Sequence, residues 1–207
     1  MKAPPFPPHI EEPLGSRSTL GVGGSAQFYA EVDSEATLLR ALTWADERKL
    51  AVTLLGGGSN VVIADRGVAG LVIRIVARGE SVTILADGRV ELRAGAGLPW
   101  DELVANVVRR GWAGLECLSG IPGLVGATPI QNVGAYGQEV SDTISAVHAF
   151  DRDQQRSVEL AGADCAFAYR TSRFKQRDEG RFIVLGVGFK LTPGGAPCLA
   201  YPEIAAK

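Results

Sequence analysis

Between Ser34 and Lys49 the apolar residues Leu38, Leu39, Leu42 and Ala45 recur at helical spacing, and Asp33 or Ser34 stands where an N-cap belongs. The period returns from Pro99 to Arg110, with Leu103, Val104, Val107 and Val108 as the apolar face. Pro99 suits a first turn, and Gly111 can end the helix. Elsewhere the apolar residues gather in short runs that read as strands. These runs are 27–32, 61–63, 70–75, 145–151, 156–160 and 182–191, with Val52-Thr-Leu-Leu55 as a buried strand. Residues 81–85 and 89–94 pair as a hairpin around Asp87-Gly88. The pattern predicts an α+β protein in two lobes, 18–76 and 77–207, behind a loose proline-rich lead over 1–17. No internal repeat or low-complexity tract interrupts it.

Composition narrows the function classes. The 207 residues are 46% hydrophobic and 21% charged, with a formal net charge of −2. That balance offers no electrostatic case for nucleic acid. No apolar run reaches the roughly 18 residues of a membrane span. Four prolines and no apolar h-region at the N-terminus argue against a signal peptide, so the cytoplasm is the expected location. Cys117, Cys165 and Cys198 are odd in number and far apart, which suggests neither a disulfide framework nor a zinc site. Two histidines, His9 and His148, leave little for a metal centre, and no metal is expected.

Three segments carry candidate chemistry. Ser119 to Gly137 holds five glycines, two prolines and a Gln-Asn pair without a charge. Glycine permits positive φ and close backbone approach, and proline fixes φ. Such a stretch is either a surface turn cluster or the wall of a flat polar ligand such as a flavin ring. Leu55-Gly-Gly-Gly-Ser-Asn60 follows a strand. Its backbone N–H groups can converge into an anion nest suited to a diphosphate, with Ser59 and Asn60 as extra donors. It is neither a P-loop nor a dinucleotide-binding turn, because the β-branched run Val61-Val-Ile63 follows in place of a helix. Phe167 to Lys175 packs three cations and three aromatics into nine residues. It reads as a solvated loop or as a carboxylate- or phosphate-binding site, and the residue types alone leave both open. Glu102, Glu116 and Glu139 read as surface or capping carboxylates.

These segments occur together, in this order, in a known family. On Ser18-Thr-Leu-Gly-Val-Gly-Gly24, Leu55 to Val62, Gly120 to Gly137 and Tyr169-Arg-Thr-Ser-Arg-Phe-Lys175, the chain resembles the UDP-N-acetylenolpyruvoylglucosamine reductases over roughly Ser18 to Ile204. These are flavoenzymes of peptidoglycan synthesis, with the two-lobed FAD-binding fold of the vanillyl-alcohol-oxidase/PCMH type. The resemblance implies FAD as bound cofactor, NADPH as co-substrate and a UDP-sugar enolpyruvyl ether as substrate. Gly56, Gly57, Gly58, Ser59 and Asn60 would cradle the diphosphate. Gly120, Ile121, Pro122, Gly123, Gly126, Pro129, Gln131, Asn132, Gly134, Ala135 and Tyr136 would line the rest of the cofactor. Arg170 would be catalytic, beside the enolpyruvyl carboxylate, with Tyr169 and Tyr201 against the substrate. Ser18 stands where the family often has asparagine.

The family's serine proton donor and second active-site carboxylate fall in a C-terminal region expected beyond Lys207. The expectation is therefore a flavin-binding portion without its substrate-binding domain, with turnover impaired. A different FAD oxidoreductase, or a non-catalytic flavin- or nucleotide-binding module, are the alternative readings.

Overall fold

The computed structural model describes residues 6–198, and the chain divides into two compact units, Met1–Ala77 and Arg78–Lys207. No helix among the described residues is long and apolar enough to cross a membrane.

The first unit is a four-stranded sheet with one helix. Strand β1 (His9–Pro13) pairs antiparallel with β2 (Ser25–Val32), and β4 (Val68–Ile75) runs parallel to both β2 and β3 (Val52–Leu54). The order is β1-β2-β4-β3. Between β2 and β3 lies α1 (Glu35–Glu47), capped by the Ser34 hydroxyl, which accepts from the Thr37 N–H at 3.3 Å. Leu38, Ala41, Leu42 and Ala45 turn inward, at i, i+3, i+4 and i+7. Leu39, expected on that face, sits one step of about 100° away and is 38% exposed.

Three expectations for this unit are corrected. The lead is in part a strand, because β2 offers an open edge: His9 pairs opposite Tyr29 and Pro13 opposite Ser25. Proline is tolerated there because an edge strand has a flank free of ladder bonds. Strand β3 is an edge strand rather than a buried one, with Leu54 45% exposed and only Leu55, just past it, buried. The run 61–63 forms no strand. Ile63 packs against the cluster of Leu14, Ala26, Tyr29, Leu55 and Val72, while Val62 is 81% exposed. Strand preference acts only where a partner edge exists. Here the following residue, Ala64, instead accepts from the N–H groups of Gly24 and Gly67 at 3.0 and 2.9 Å.

The second unit is an antiparallel sheet in the order β11-β10-β12-β6-β5. Its strands are β5 (Glu80–Ile84), β6 (Val90–Gly95), β10 (Ile144–Asp151), β11 (Arg156–Ala161) and β12 (Phe182–Pro193). The short β7 (Trp112–Ala113) pairs the far end of β12. Helix α2 (Trp100–Arg109) buries Trp100, Leu103, Val104 and Val107, and Val108 faces outward, contrary to its expected place. The Trp100 indole N–H donates to the Leu118 carbonyl at 2.9 Å, and its ring lies 5.9 Å from Phe189. Pro99 is the N-cap, and Gly111, at φ +68, closes the helix through its N–H to the Val108 carbonyl. A miniature hairpin, β8 (Gly134–Ala135) with β9 (Gln138–Glu139), forms a separate two-stranded sheet beside the 3₁₀ turn Glu116–Leu118.

Candidate functional site

In the first unit the loop Gly56–Asn60 leaves β3 and packs on the 3₁₀ turn Gly15–Arg17. Gly58 has φ +69, and a Cβ there would lie 2.1 Å from the Arg17 carbonyl oxygen. Its own carbonyl accepts from the Thr19 N–H at 2.9 Å. The third glycine is thus required by the protein's own backbone. Gly56 and Asn60 are exposed, and Gly57 and Ser59 are half-buried. The turn beneath is anchored by Arg17, which bonds Glu12 at 2.8 Å and Glu31 at 3.0 Å and lies 4.8 Å above the buried Tyr29 ring. The Tyr29 hydroxyl donates to Glu31 at 2.9 Å, and burial, with that bond, pushes its pKa up to about 12. Arg17 and Tyr29 therefore shape this loop without being visible as site residues in the sequence.

In the second unit the first half of the glycine-rich segment is stitched to the chain leading into α2. The Val125 and Gly126 N–H groups donate to Leu98 and Ala96, both at 2.9 Å, and the Trp100 N–H donates to Gly123 at 3.0 Å. A Cβ on Gly126 would lie 2.5 Å from the Ala96 Cβ. Gly120, Ile121 and Pro122 precede this seam with partly or fully exposed faces. Pro129 is buried, and Gln131 is half-buried.

Asn132 is the hub of the second half. It is 0% exposed at φ +46. Its amide donates to Glu139 at 2.7 Å and to the Ala168 carbonyl at 3.1 Å, and its side-chain oxygen accepts from the Ser141 N–H at 3.1 Å. Both amide hydrogens are committed inside the protein, so this side chain organises the fold and has no donor left for a ligand. Beyond it, Tyr136 (φ 50) and Gly137 (φ 81) turn the β8–β9 hairpin, with Tyr136 exposed at its tip.

Ala168 also anchors the arginine motif. Ala168 and Thr171 exchange N–H to carbonyl bonds, both at 3.1 Å, leaving Tyr169 and Arg170 as the two corner residues. Arg170 takes φ 55, and its guanidinium carbon lies 5.6 Å from the centre of the Tyr169 ring. Tyr169 is 81% exposed, and Arg170 is exposed too. Ser172 is buried and donates to the Ile130 carbonyl at 2.6 Å. Asn132 and Ser172 therefore hold the Arg170 corner against the glycine-rich segment. Ser172 lies inside the quoted motif, yet no role was legible for it there.

The other cations of the motif serve elsewhere. Arg173 bonds Asp178 at 2.7 Å and the Asp164 carbonyl at 3.0 Å. The Lys175 ammonium donates to the Arg170 carbonyl at 3.4 Å. Among the three acids considered, Glu139 caps the 3₁₀ turn Val140–Asp142. Glu116 is a tie rather than a surface carboxylate, accepting from Gly114 at 2.6 Å, Cys198 at 2.8 Å and Gln138 at 3.3 Å. Burial alone would raise its pKa, but the N–H groups of Gly114 and Cys198 and the Gln138 amide hold it below the usual range. Tyr201 lies outside the described residues.

Comparison with known proteins finds relatives over most of this chain. The family model for an FAD binding domain matches residues 26–156. A UDP-N-acetylenolpyruvoylglucosamine reductase of Salinispora arenicola is 46% identical over 200 residues, covering 96% of this chain and 54% of that protein. The chain spans about half the length of such relatives. The crystal structure of the Thermus caldophilus enzyme of that name superposes with a TM-score of 0.72 at 29% identity, over 96% of this chain and 66% of that one. 6-Hydroxy-D-nicotine oxidase of Arthrobacter nicotinovorans matches with a TM-score of 0.58 at 18% identity, covering 89% of this chain and 39% of that one; it shares the fold.

Proposed function

From a chain that belongs to the FAD-binding domain family, and within it to the UDP-N-acetylenolpyruvoylglucosamine reductases, we propose a part in the NADPH-driven reduction of UDP-N-acetylglucosamine enolpyruvate to UDP-N-acetylmuramate. The residues fit FAD by their chemistry. Residues 55–62 contain no acidic side chain, so a diphosphate there would meet amide N–H groups, the Ser59 hydroxyl and the Asn60 amide. Beside residues 119–137, which are also free of acid in sequence, Asp101 accepts from the Ser119 hydroxyl at 3.2 Å and the Gly120 N–H at 2.6 Å. In this reading Gly56 to Asn60 hold the diphosphate, and the exposed faces of Gly120, Ile121 and Pro122 and of the Tyr136 tip line the remainder. When bound, the flavin would take hydride from NADPH and deliver it to the enolpyruvyl double bond.

The protein's own contribution centres on Arg170. A guanidinium holds a carboxylate through paired N–H donors, and it favours negative charge developing on that carboxylate system as the double bond is reduced. Tyr169, beside it, braces the substrate. In this reading Arg170 and Tyr169 supply binding and charge stabilisation. The cytoplasm is the proposed location, in keeping with a nucleotide-linked substrate. The observation that carries the reading is the Arg170 corner, fastened to the glycine-rich segment by Asn132 and Ser172.

Titration of the purified chain with FAD, followed by flavin absorbance and fluorescence, tests the cofactor. A well-folded preparation that leaves the absorbance and fluorescence of added FAD unchanged and retains no flavin after free FAD is removed refutes the proposal. Anaerobic reduction by NADPH and reoxidation by substrate then tests the arginine. Arg170→Ala should leave FAD content unchanged and slow reoxidation by about 10²–10³-fold relative to the unsubstituted protein. Equal loss of flavin and of reoxidation would make Arg170 structural.

A further inference from the structure

Glu116 and Cys117, consecutive in the chain, clasp Cys198 from both sides of its main chain. Glu116 accepts the Cys198 N–H at 2.8 Å, and the Cys117 thiol donates to the Cys198 carbonyl at 3.0 Å across 81 positions. A residue fixed at both its N–H and its C=O has little freedom to carry its side chain away. The Cys198 sulfur is bonded to that residue's Cβ, and the Cys117 sulfur already touches the same residue. Both cysteines are partly exposed, so a reagent reaches them.

Cys165 supplies the contrast. It is fully buried, donates to the Ala161 carbonyl at 3.4 Å, and burial pushes its pKa up to about 11. Thiol reactivity follows exposure and thiolate fraction, so Cys165 is the inert member of the three. Burial, then the neighbouring Cys198 and Glu116, hold the Cys117 thiol above its ordinary range. Thiolate is therefore scarce there at neutral pH, which slows exchange at Cys117; what favours reaction is its exposure and its contact with Cys198.

We propose that Cys117 and Cys198 are a modification site: they form a reversible disulfide that staples the segment leaving β12 to the turn in front of the glycine-rich segment. The oxidant is a low-molecular-weight disulfide such as glutathione disulfide. One cysteine thiolate attacks a glutathione sulfur, the glutathione S–S bond breaks, one glutathione thiolate leaves, and a mixed disulfide remains. The second cysteine thiolate then attacks the protein sulfur of that adduct, and the second glutathione thiolate leaves. Two protein thiols lose two electrons, one glutathione disulfide gains them, and the two cysteine protons end on the two released glutathiones.

The staple has a place to act. Glu116 and the Cys117 N–H also hold the Gln138 side chain, at 3.3 and 3.0 Å, and Gln138 belongs to the β8–β9 hairpin that Tyr136 tips. Closing the bond would stiffen the base of that hairpin. The inference stands on these contacts and is independent of the flavin reading.

The test oxidises the intact chain with graded ratios of oxidised to reduced glutathione, traps free thiols with N-ethylmaleimide and maps unreduced peptides by mass spectrometry. The expected result is a Cys117–Cys198 linked peptide with Cys165 alkylated only after unfolding. The thermal midpoint should rise by ~5–10 °C and return on adding dithiothreitol. Cys117→Ser and Cys198→Ser should each leave the remaining thiol as a glutathione adduct, without the rise. Independent adducts on both cysteines of the unsubstituted chain, a link through Cys165, or an intermolecular dimer would overturn the proposal. The reduced unsubstituted protein is its own folding control.

Discussion

The two glycine-rich stretches, one in each unit, are alike in composition and differ in what shapes them. Gly56 to Asn60 is shaped by main chain against main chain: Gly58 leaves no room for a Cβ beside the Arg17 carbonyl. The segment from Gly120 to Gly137 is shaped in its second half by side chains that reach across sequence, Asn132 to Ala168 and Ser172 to Ile130. The first loop breaks when an atom is added at Gly58; the second breaks so at Gly126, beside Ala96, but also when a polar group is removed at Asn132 or Ser172. Glycine content alone therefore says little about what a loop does. Its contact partners decide whether a glycine serves a ligand, a neighbouring strand or only a turn.

The largest expected effect comes from Gly58→Ala. A positive φ and a fixed backbone oxygen act together, so the loss should be at least ~3 kcal/mol, with FAD affinity lost alongside. Denaturant unfolding and flavin titration measure both, and retained FAD affinity would mean that this loop does not hold the cofactor. Next, Asn132→Ala should cost about 2 kcal/mol by removing its bonds to Glu139 and the Ala168 carbonyl and leaving the Ser141 N–H without its side-chain acceptor. It should also slow substrate-dependent reoxidation more than it weakens FAD binding, because the Arg170 corner loses its tie. If both readouts fall equally, the contrast between the two stretches is blunted.

The third prediction concerns Asp151. Its carboxylate receives two bonds from Arg181, at 2.7 and 3.1 Å, and N–H bonds from Gln154 and Asp153. The Arg181 bonds, partly opposed by burial and assisted by those N–H groups, lower its pKa to about 2. A depressed carboxyl stabilises the fold fully above its ordinary value near 4, and that stability fades as pH falls towards about 2. Asp151→Asn should lower the thermal midpoint by ~5 °C at pH 7 and by much less near pH 2. A pH-independent difference would remove the ion pair from the account.

The smallest effect should come from Gly120→Ala. Gly120 shares a positive φ, +77, with Gly58, but nothing lies within 4 Å of an added Cβ. Its cost should stay near 1 kcal/mol, from left-handed strain alone. The gap between Gly58→Ala and Gly120→Ala thus separates close approach from conformation. Any loss of FAD affinity in Gly120→Ala beyond that small destabilisation would point to contact with the cofactor at this position.

Much of the fold was legible because its period is local. Ser34 announces α1, Gly111 ends α2, and Asp87-Gly88 turns β5 into β6 through the Leu85 N–H to Arg89 carbonyl bond at 2.8 Å. Helix faces were read within one residue: Ala41 replaces Leu39, and Trp100 joins a face from which Val108 drops out. The run at 61–63 misled because β-branched residues signal a strand whether or not an edge awaits them. In the candidate site, the motifs marked segments without dividing the labour inside them. Arg170 stands at an exposed corner and Arg173 is spent on Asp178, a division set by a residue five positions on and by a turn in the backbone. Cys117 and Cys198 looked unrelated for the same reason, since spacing along the chain carries no distance in space.

By itself, the sequence determined the local periods, the caps and turns, the absence of acid in the two glycine-rich stretches, and motifs specific enough to point to a flavoenzyme family. Tertiary structure decided which strand is an edge, which glycine is forced by a neighbour, that Asn132 is a buried hub, and that Glu116 and Cys117 clasp Cys198. The first group depends on neighbours within about four residues, where backbone geometry fixes who meets whom. The second depends on long-range contacts, where only the packed chain says which groups have lost water and must bond to one another.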